Sequence, residues 1–282
     1  MKYFCLKRHA CATTNCQQDI DFVVPDHLVD AAFQALKDAG FSDSKDPKDY
    51  VGSCTWHNLK KEELTSTYPY PARWLHLHPN ANGPDSPVSD EAYINYLESR
   101  PHSDICLHPK SFALWALPDM TLEDPAPDDP NYMLANDPRL PEYRPSYGQG
   151  RFVEPDCRLQ IPTPTRFTES LFLFMARERN MLDRGEFWLR YLCYIDEYVY
   201  KKSIDEDFLS PATMDKSLGR IWRANLRGGI PMREFNRKYI DRLRHNLIQK
   251  GVLPETAYPG CLKHDEVLPF MLKKRAEGST VT

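Results

Sequence analysis

Prolines at 118, 125, 127, 130, 138, 141, 145 and 155 break up the middle of this chain, among many acids and few aliphatic residues. Proline lacks a backbone N–H and fixes its own φ, so this stretch cannot carry a long helix or a central strand. It reads as a long surface loop or linker, residues 118–156, between residues 1–117 and residues 157–282. A fold must therefore be assembled from the two flanks, and these carry different patterns.

The N-terminal flank holds one clear strand–helix unit. Asp19-Ile20-Asp21-Phe22-Val23-Val24 is short, β-branched and aromatic, and Pro25 ends it. Asp26 is expected to cap the helix that follows, with Leu28, Ala31, Ala32, Ala35, Leu36 and Ala39 on its apolar face and Gly40 as its left-handed stop. Arg73–Pro79 and Asp104–His108 read as further strands, the latter leading into Lys110–Trp115. Residues 80–90 form a polar loop, and residues 89–99 a short helix. The C-terminal flank is helical in pattern, with helices expected over 166–179 behind Thr163-Pro164, and over 186–202, 213–226, 231–250 and 264–276. The expected class is α/β in the α+β sense: a mixed sheet with flanking helices, plus a C-terminal helical domain.

Composition narrows the function classes. Hydrophobic residues make up 41% and aromatics 12%, enough for a packed core. The net charge of −4 disfavours a general nucleic-acid binder, although a local basic patch remains compatible with it. No run reaches the roughly 18 apolar residues of a membrane span, and Lys2, Lys7 and Arg8 interrupt the N-terminal apolar residues where a secretory signal would need continuity. The chain is expected to be cytoplasmic, without membrane partners. Its eight cysteines lack close pairs, so free buried thiols are expected rather than a zinc site.

Asp19 and Asp21 carry the clearest chemistry. Alternation on a strand puts both carboxylates on one face, about 7 Å apart, where they repel unless a cation intervenes. Mg²⁺ is the natural occupant, since it prefers carboxylate and phosphate oxygens and offsets the charge of phosphoryl or nucleotidyl transfer.

The segment Thr14-Asn15-Cys16-Gln17-Gln18-Asp19-Ile20-Asp21-Phe22-Val23-Val24-Pro25, with the helix ending at Gly40-Phe41, resembles the minimal nucleotidyltransferase superfamily. Ile161-Pro162-Thr163-Pro164-Thr165-Arg166-Phe167 and the helix behind it resemble the C-terminal helical region of antitoxin-type members. The resemblance implies a nucleotidyltransferase-like mixed sheet over residues 1–117 and a Mg²⁺-dependent transfer of a nucleoside monophosphate. The partners it implies are a nucleoside triphosphate and a small-molecule or protein acceptor. Asp19, Asp21 and Asp104 would be the metal ligands, with His76 or His78 completing the site or acting as base. Arg8-His9-Ala10-Cys11-Ala12-Thr13-Thr14 stands where the family places a glycine turn for the triphosphate, so Thr13, Thr14, Arg8 or Lys7 would hold phosphate instead. Glu169 stands in a helix where related chains tend to carry lysine.

Other residues leave alternatives open. His76 and His78 share a strand face, which suits a transition metal, a phosphate contact or plain hydrogen bonding, and His57 and His108 could join them. Arg220, Arg223, Arg227, Arg233, Arg237, Lys238, Arg242 and Arg244 form a cationic run that suits a nucleotide, an RNA end or an acidic partner, or a solvated helix face. The missing glycines suggest a rival, a catalytically inactive nucleotidyltransferase-fold binding or scaffold protein. A metal-dependent biosynthetic enzyme on a remodelled site is the third reading. No Walker loop, Gly-x-Gly-x-x-Gly turn or Gly-x-Ser-x-Gly elbow is present, which argues against those chemistries.

Overall fold

The computed structural model of the chain describes residues 4–7, 20–43, 71–77, 104–121, 123–143, 150–153, 158–178, 184–201 and 208–254. The described strands form one mixed six-stranded sheet. They are β1 Phe4–Lys7, β2 Ile20–Val24, β3 Arg73–His76, β4 Asp104–Pro109, β5 Tyr132–Leu134 and β6 Gln160–Pro162, in the order β3-β4-β2-β1-β6-β5. β2 runs antiparallel to β1 and parallel to β4, while β3 lies antiparallel to β4. The chain is thus mixed α/β, with parallel and antiparallel pairs in the same sheet.

β2 stops at Pro25, as its sequence requires, but Asp26 does not cap the next helix. Asp26–Leu28 forms a 3-10 turn, and α1 spans Val29–Asp38 with no side-chain cap. The Asp26 carboxylate instead accepts the Ser111 backbone N–H at 2.9 Å, tying this turn to the end of β4. α1 ends as its sequence predicts. Gly40 adopts φ +97°, and the Phe41 N–H reaches back to the Leu36 carbonyl. Val29 and Ala32 are buried and Leu28, Phe33 and Leu36 half-buried against Val24, Ile105 and Leu107, whereas Ala31 and Ala35, expected on the apolar face, are exposed.

The proline-rich segment supplies a strand. β5 occupies the gap between Pro130 and Pro138, and it sits at the sheet edge, where donors are needed on one side only. The Asp129 carboxylate accepts the N–H groups of Asn131 and Tyr132 at its entry, and the Tyr132 hydroxyl donates to the Pro118 carbonyl at 2.6 Å.

Beyond β6 the described chain is helical. α2 Lys110–Ala113 is a single turn after β4, and α3 spans Pro164–Arg177 with Pro164 in its first turn and Thr163 as its cap. α4 spans Arg184–Ile195 and continues as a π-turn, Asp196–Tyr200. α5 spans Lys216–Arg227; α6 Met232–Phe235 runs through a π-turn, Asn236–Ile240, into α7 Asp241–Gln249. Leu171, Phe172, Phe174 and Met175 of α3, Trp188 and Leu192 of α4, and Ile221 and Trp222 of α5 form the large core, which Val23 of β2 joins. The helices expected over 89–99 and 264–276 lie outside the described residues.

Two predictions follow from the α5 entry. Asp215 caps α5 by accepting the N–H groups of Ser217 and Leu218, and the Ser217 hydrogen bond holds its carboxyl below the ordinary range. A lowered folded value stabilises above the ordinary carboxylate pKa of about 3.9 and is lost as pH falls through the folded one. Asp215→Asn keeps a capping side chain without the titration, so pH 7 stability should change little and the acid limb should flatten in denaturant titrations. Gly219 packs against the Pro211 carbonyl so closely that an added Cβ would lie 2.2 Å from its oxygen. Gly219→Ala should therefore cost about 1–3 kcal/mol in urea unfolding despite alanine's better helix propensity.

Candidate functional site

The registers sort the sheet into two unlike faces. Asp21 of β2 lies opposite Cys106 of β4, and Asp104 of β4 lies opposite His76 of β3. Side chains alternate along strands, so Asp21, Asp104, Cys106, His108 and His76 share one face. The other face carries Phe22, Val24, Leu75, Ile105 and Leu107, of which Phe22, Val24, Ile105 and Leu107 pack in the cluster under α1. A strand buried on both sides reads as apolar throughout, and β4 departs from that rule at Asp104 and His108.

These polar residues form two buried pairs. The Asp21 carboxylate meets the Nε2 of His108 at 3.0 Å, and Asp104 meets the Nδ1 of His76 at 3.0 Å. All four side chains are at most 5% exposed. An ionised carboxylate only accepts hydrogen bonds, so beside it the His108 Nε2 carries a proton. That leaves the buried His108 Nδ1, which has no hydrogen-bond partner among the described residues. An imidazole oriented by a carboxylate through one nitrogen, with the other unengaged, is the usual arrangement of a proton acceptor. The Ser42 carbonyl accepts the His76 backbone N–H at 2.8 Å, and the charge of His76 helps, after the Lys37 hydrogen bond, to hold the Asp43 carboxyl low.

The structure brings together three of the residues singled out from the sequence: Asp21, Asp104 and His76. Asp19, His78, Arg8, Thr13 and Thr14 lie outside the described residues, as does His57. His108, which the sequence offered as a histidine that could join His76 and His78, enters the site as the partner of Asp21. Glu169, which stands where the resemblance leads one to expect lysine, is a tether: it accepts from Arg166 at 2.7 Å and from the Asp215 N–H at 2.7 Å.

Among the described residues no three His, Cys, Asp or Glu side chains converge on a metal position. The oxygen donors of Asp21 and Asp104 have the chemistry that Mg²⁺ prefers, and a carboxylate hydrogen-bonded through one oxygen is a common oriented ligand. Comparison with known proteins finds no family model, curated protein or solved structure that the chain matches.

Removing one partner from either pair strands a buried polar group and should cost about 3–5 kcal/mol. Double-mutant cycles to alanine should show coupling of about 0.5–3 kcal/mol within Asp21–His108 and within Asp104–His76. Asp21 and His76, two strands apart, should be additive within about 0.5 kcal/mol.

Proposed function

We propose that the chain is a nucleotidyltransferase-like enzyme whose chemistry takes place on the polar face of the sheet, at Asp21, Asp104 and His108. The observation that carries this reading is the shared face of Asp21 and Asp104 on adjacent parallel strands. A strand pair bearing acids suits nucleotidyl transfer, and Asp104 on the second strand is a candidate for the third acid that the resemblance implies. Asp21 holds the His108 ring so that its Nδ1 faces away from the carboxylate. His108 then takes the proton of the acceptor hydroxyl as its oxygen bonds to the α-phosphorus, and pyrophosphate leaves with the electrons of the broken P–O bond. Asp104 fixes His76 as a second polar group on the same face. Mg²⁺, held by Asp21 and Asp104 with Asp19, would offset the phosphate charge during this step.

A second reading, a binding or scaffold protein that keeps the fold, is favoured by the burial of both acids against imidazoles, since such pairs can serve architecture alone.

Calorimetry with ATP, CTP, GTP and UTP, with and without Mg²⁺, separates the two. The enzyme reading expects metal-dependent binding of at least one nucleotide, weakened tenfold or more in Asp21→Asn. With an acceptor in hand, His108→Gln should lower kcat about 10²–10⁴-fold while binding persists. A folded protein that binds none of the four would overturn the proposal in favour of the scaffold.

A further inference from the structure

α5 carries a basic stripe that no acid among the described residues neutralises. Lys216, Arg220, Arg223 and Arg227 follow at i, i+4, i+7 and i+11, which places them along one helix face, opposite the buried Leu218, Ile221, Trp222 and Ala224. All four cations are exposed, and among the described residues none has an ion-pair or hydrogen-bond partner. Several other surface cations are paired, Lys37 with Asp43, Arg73 with Asp30, Arg158 with Asp124 and Lys201 with Asp196, while Arg237 and Arg242, exposed like the stripe, have no ion-pair partner among the described residues but do not form a row of four on one helix face. α5 contains no acid, and the nearest in sequence, Asp215, is engaged in capping the helix. Like charges at these spacings repel, and Lys216 stands at the end of the helix where the dipole disfavours a cation. Local stability therefore does not explain the stripe.

The stripe also borders a concavity. A groove of about 350 Å³ opens between the turn at Pro211–Met214 and Lys216, Arg220 and Arg223. Gly219 shapes it, since its missing Cβ lets the Pro211 carbonyl sit against the helix. On the same helix Trp222 meets Tyr200 edge-on at 6.0 Å, and Tyr200 is an exposed aromatic ring.

We infer that this face of α5 is a docking surface for single-stranded nucleic acid, with the phosphodiester backbone along Lys216, Arg220, Arg223 and Arg227. The four cations span about 16 Å of helix axis in steps of about 4.5–6 Å. Those steps exceed the 3.4 Å rise of a stacked strand and match a partly unstacked single strand. Three of the four are arginines, whose guanidinium forks suit phosphate oxygens. The net charge of −4 belongs to the whole chain and does not extend to this face.

The test is fluorescence anisotropy in EDTA with labelled twelve-nucleotide oligo-U and oligo-dT, and with a labelled poly-glutamate peptide as control. At low salt the full chain should bind the oligonucleotides, with a log–log salt slope of about −2.8 for four phosphate contacts. Arg220→Glu combined with Arg223→Glu should weaken binding at least tenfold and bring the slope to about −1.4, with a melting temperature that does not fall, because neither side chain has an ion-pair or hydrogen-bond partner among the described residues and the reversals relieve like-charge repulsion along α5. Asp21→Asn should bind as the unaltered chain does, which keeps this result separate from the fate of the transferase reading. No oligonucleotide binding, binding indifferent to the charge reversals, or poly-glutamate bound as tightly as the oligonucleotides would overturn the inference; the last would make the face an acidic-protein surface.

Discussion

The parallel pairing of β2 with β4 is the constraint on which the rest of the sheet depends. It fixes Asp21 opposite Cys106, and from that one register every side chain on both strands is assigned a face. A slip of one residue would turn one of the two strands over, driving Asp21 of β2, or Asp104 and His108 of β4, into the apolar cluster under α1. The buried polar pairs and the hydrophobic layer therefore specify the same alignment from opposite sides. Parallel strands also require a crossover, and here α1 forms part of it, covering the apolar face between β2 and β4.

The helical part is held by a different device, buried charge at the ends of α3. At its beginning Glu169 joins Arg166 to the Asp215 backbone, so the start of α5 is set by α3. At its end the nearly inaccessible Arg177 donates to the Phe112 carbonyl at 2.7 Å and lies over the Phe112 ring, linking α3 to the turn after β4. Arg244 of α7 then donates to the Ala176 and Arg177 carbonyls, meeting groups that a helix end leaves open. Desolvated charges are costly unless hydrogen-bonded, and these have partners on both the sheet and the helical side.

The candidate site was partly legible in the chain. Asp21 stood out as the second acid of Asp19-Ile20-Asp21 on a β-branched strand, and Asp104 because it opened the next plausible strand. His76 could be placed on a strand, but its partner could not be named, since Asp104 is 28 residues away and pairing between strands is not local. His108 was harder still. Its bond to Asp21 spans 87 residues, and no spacing rule reaches across a crossover of that length. The cap expected of Asp26 failed for a related reason: a carboxylate next to a helix start is free to serve a distant N–H, and the Ser111 N–H drew it away. The proline segment was read as loop because prolines deter strands, yet a gap without them at a sheet edge was enough for β5.

The sequence by itself determined the local elements with strong signals: β2 ending at Pro25, Gly40 closing α1, Thr163-Pro164 opening α3, and Gly228 ending α5 at φ +60°. Each of these rests on backbone stereochemistry and on neighbours within a few residues, so the chain encodes them directly. Only the tertiary structure decided which acids meet which histidines, that Glu169 tethers α3 to α5, and that the cations of α5 have no partner among the described residues. Those outcomes depend on strand register and helix packing, which bring together residues far apart in sequence and are set by the burial of whole faces at once.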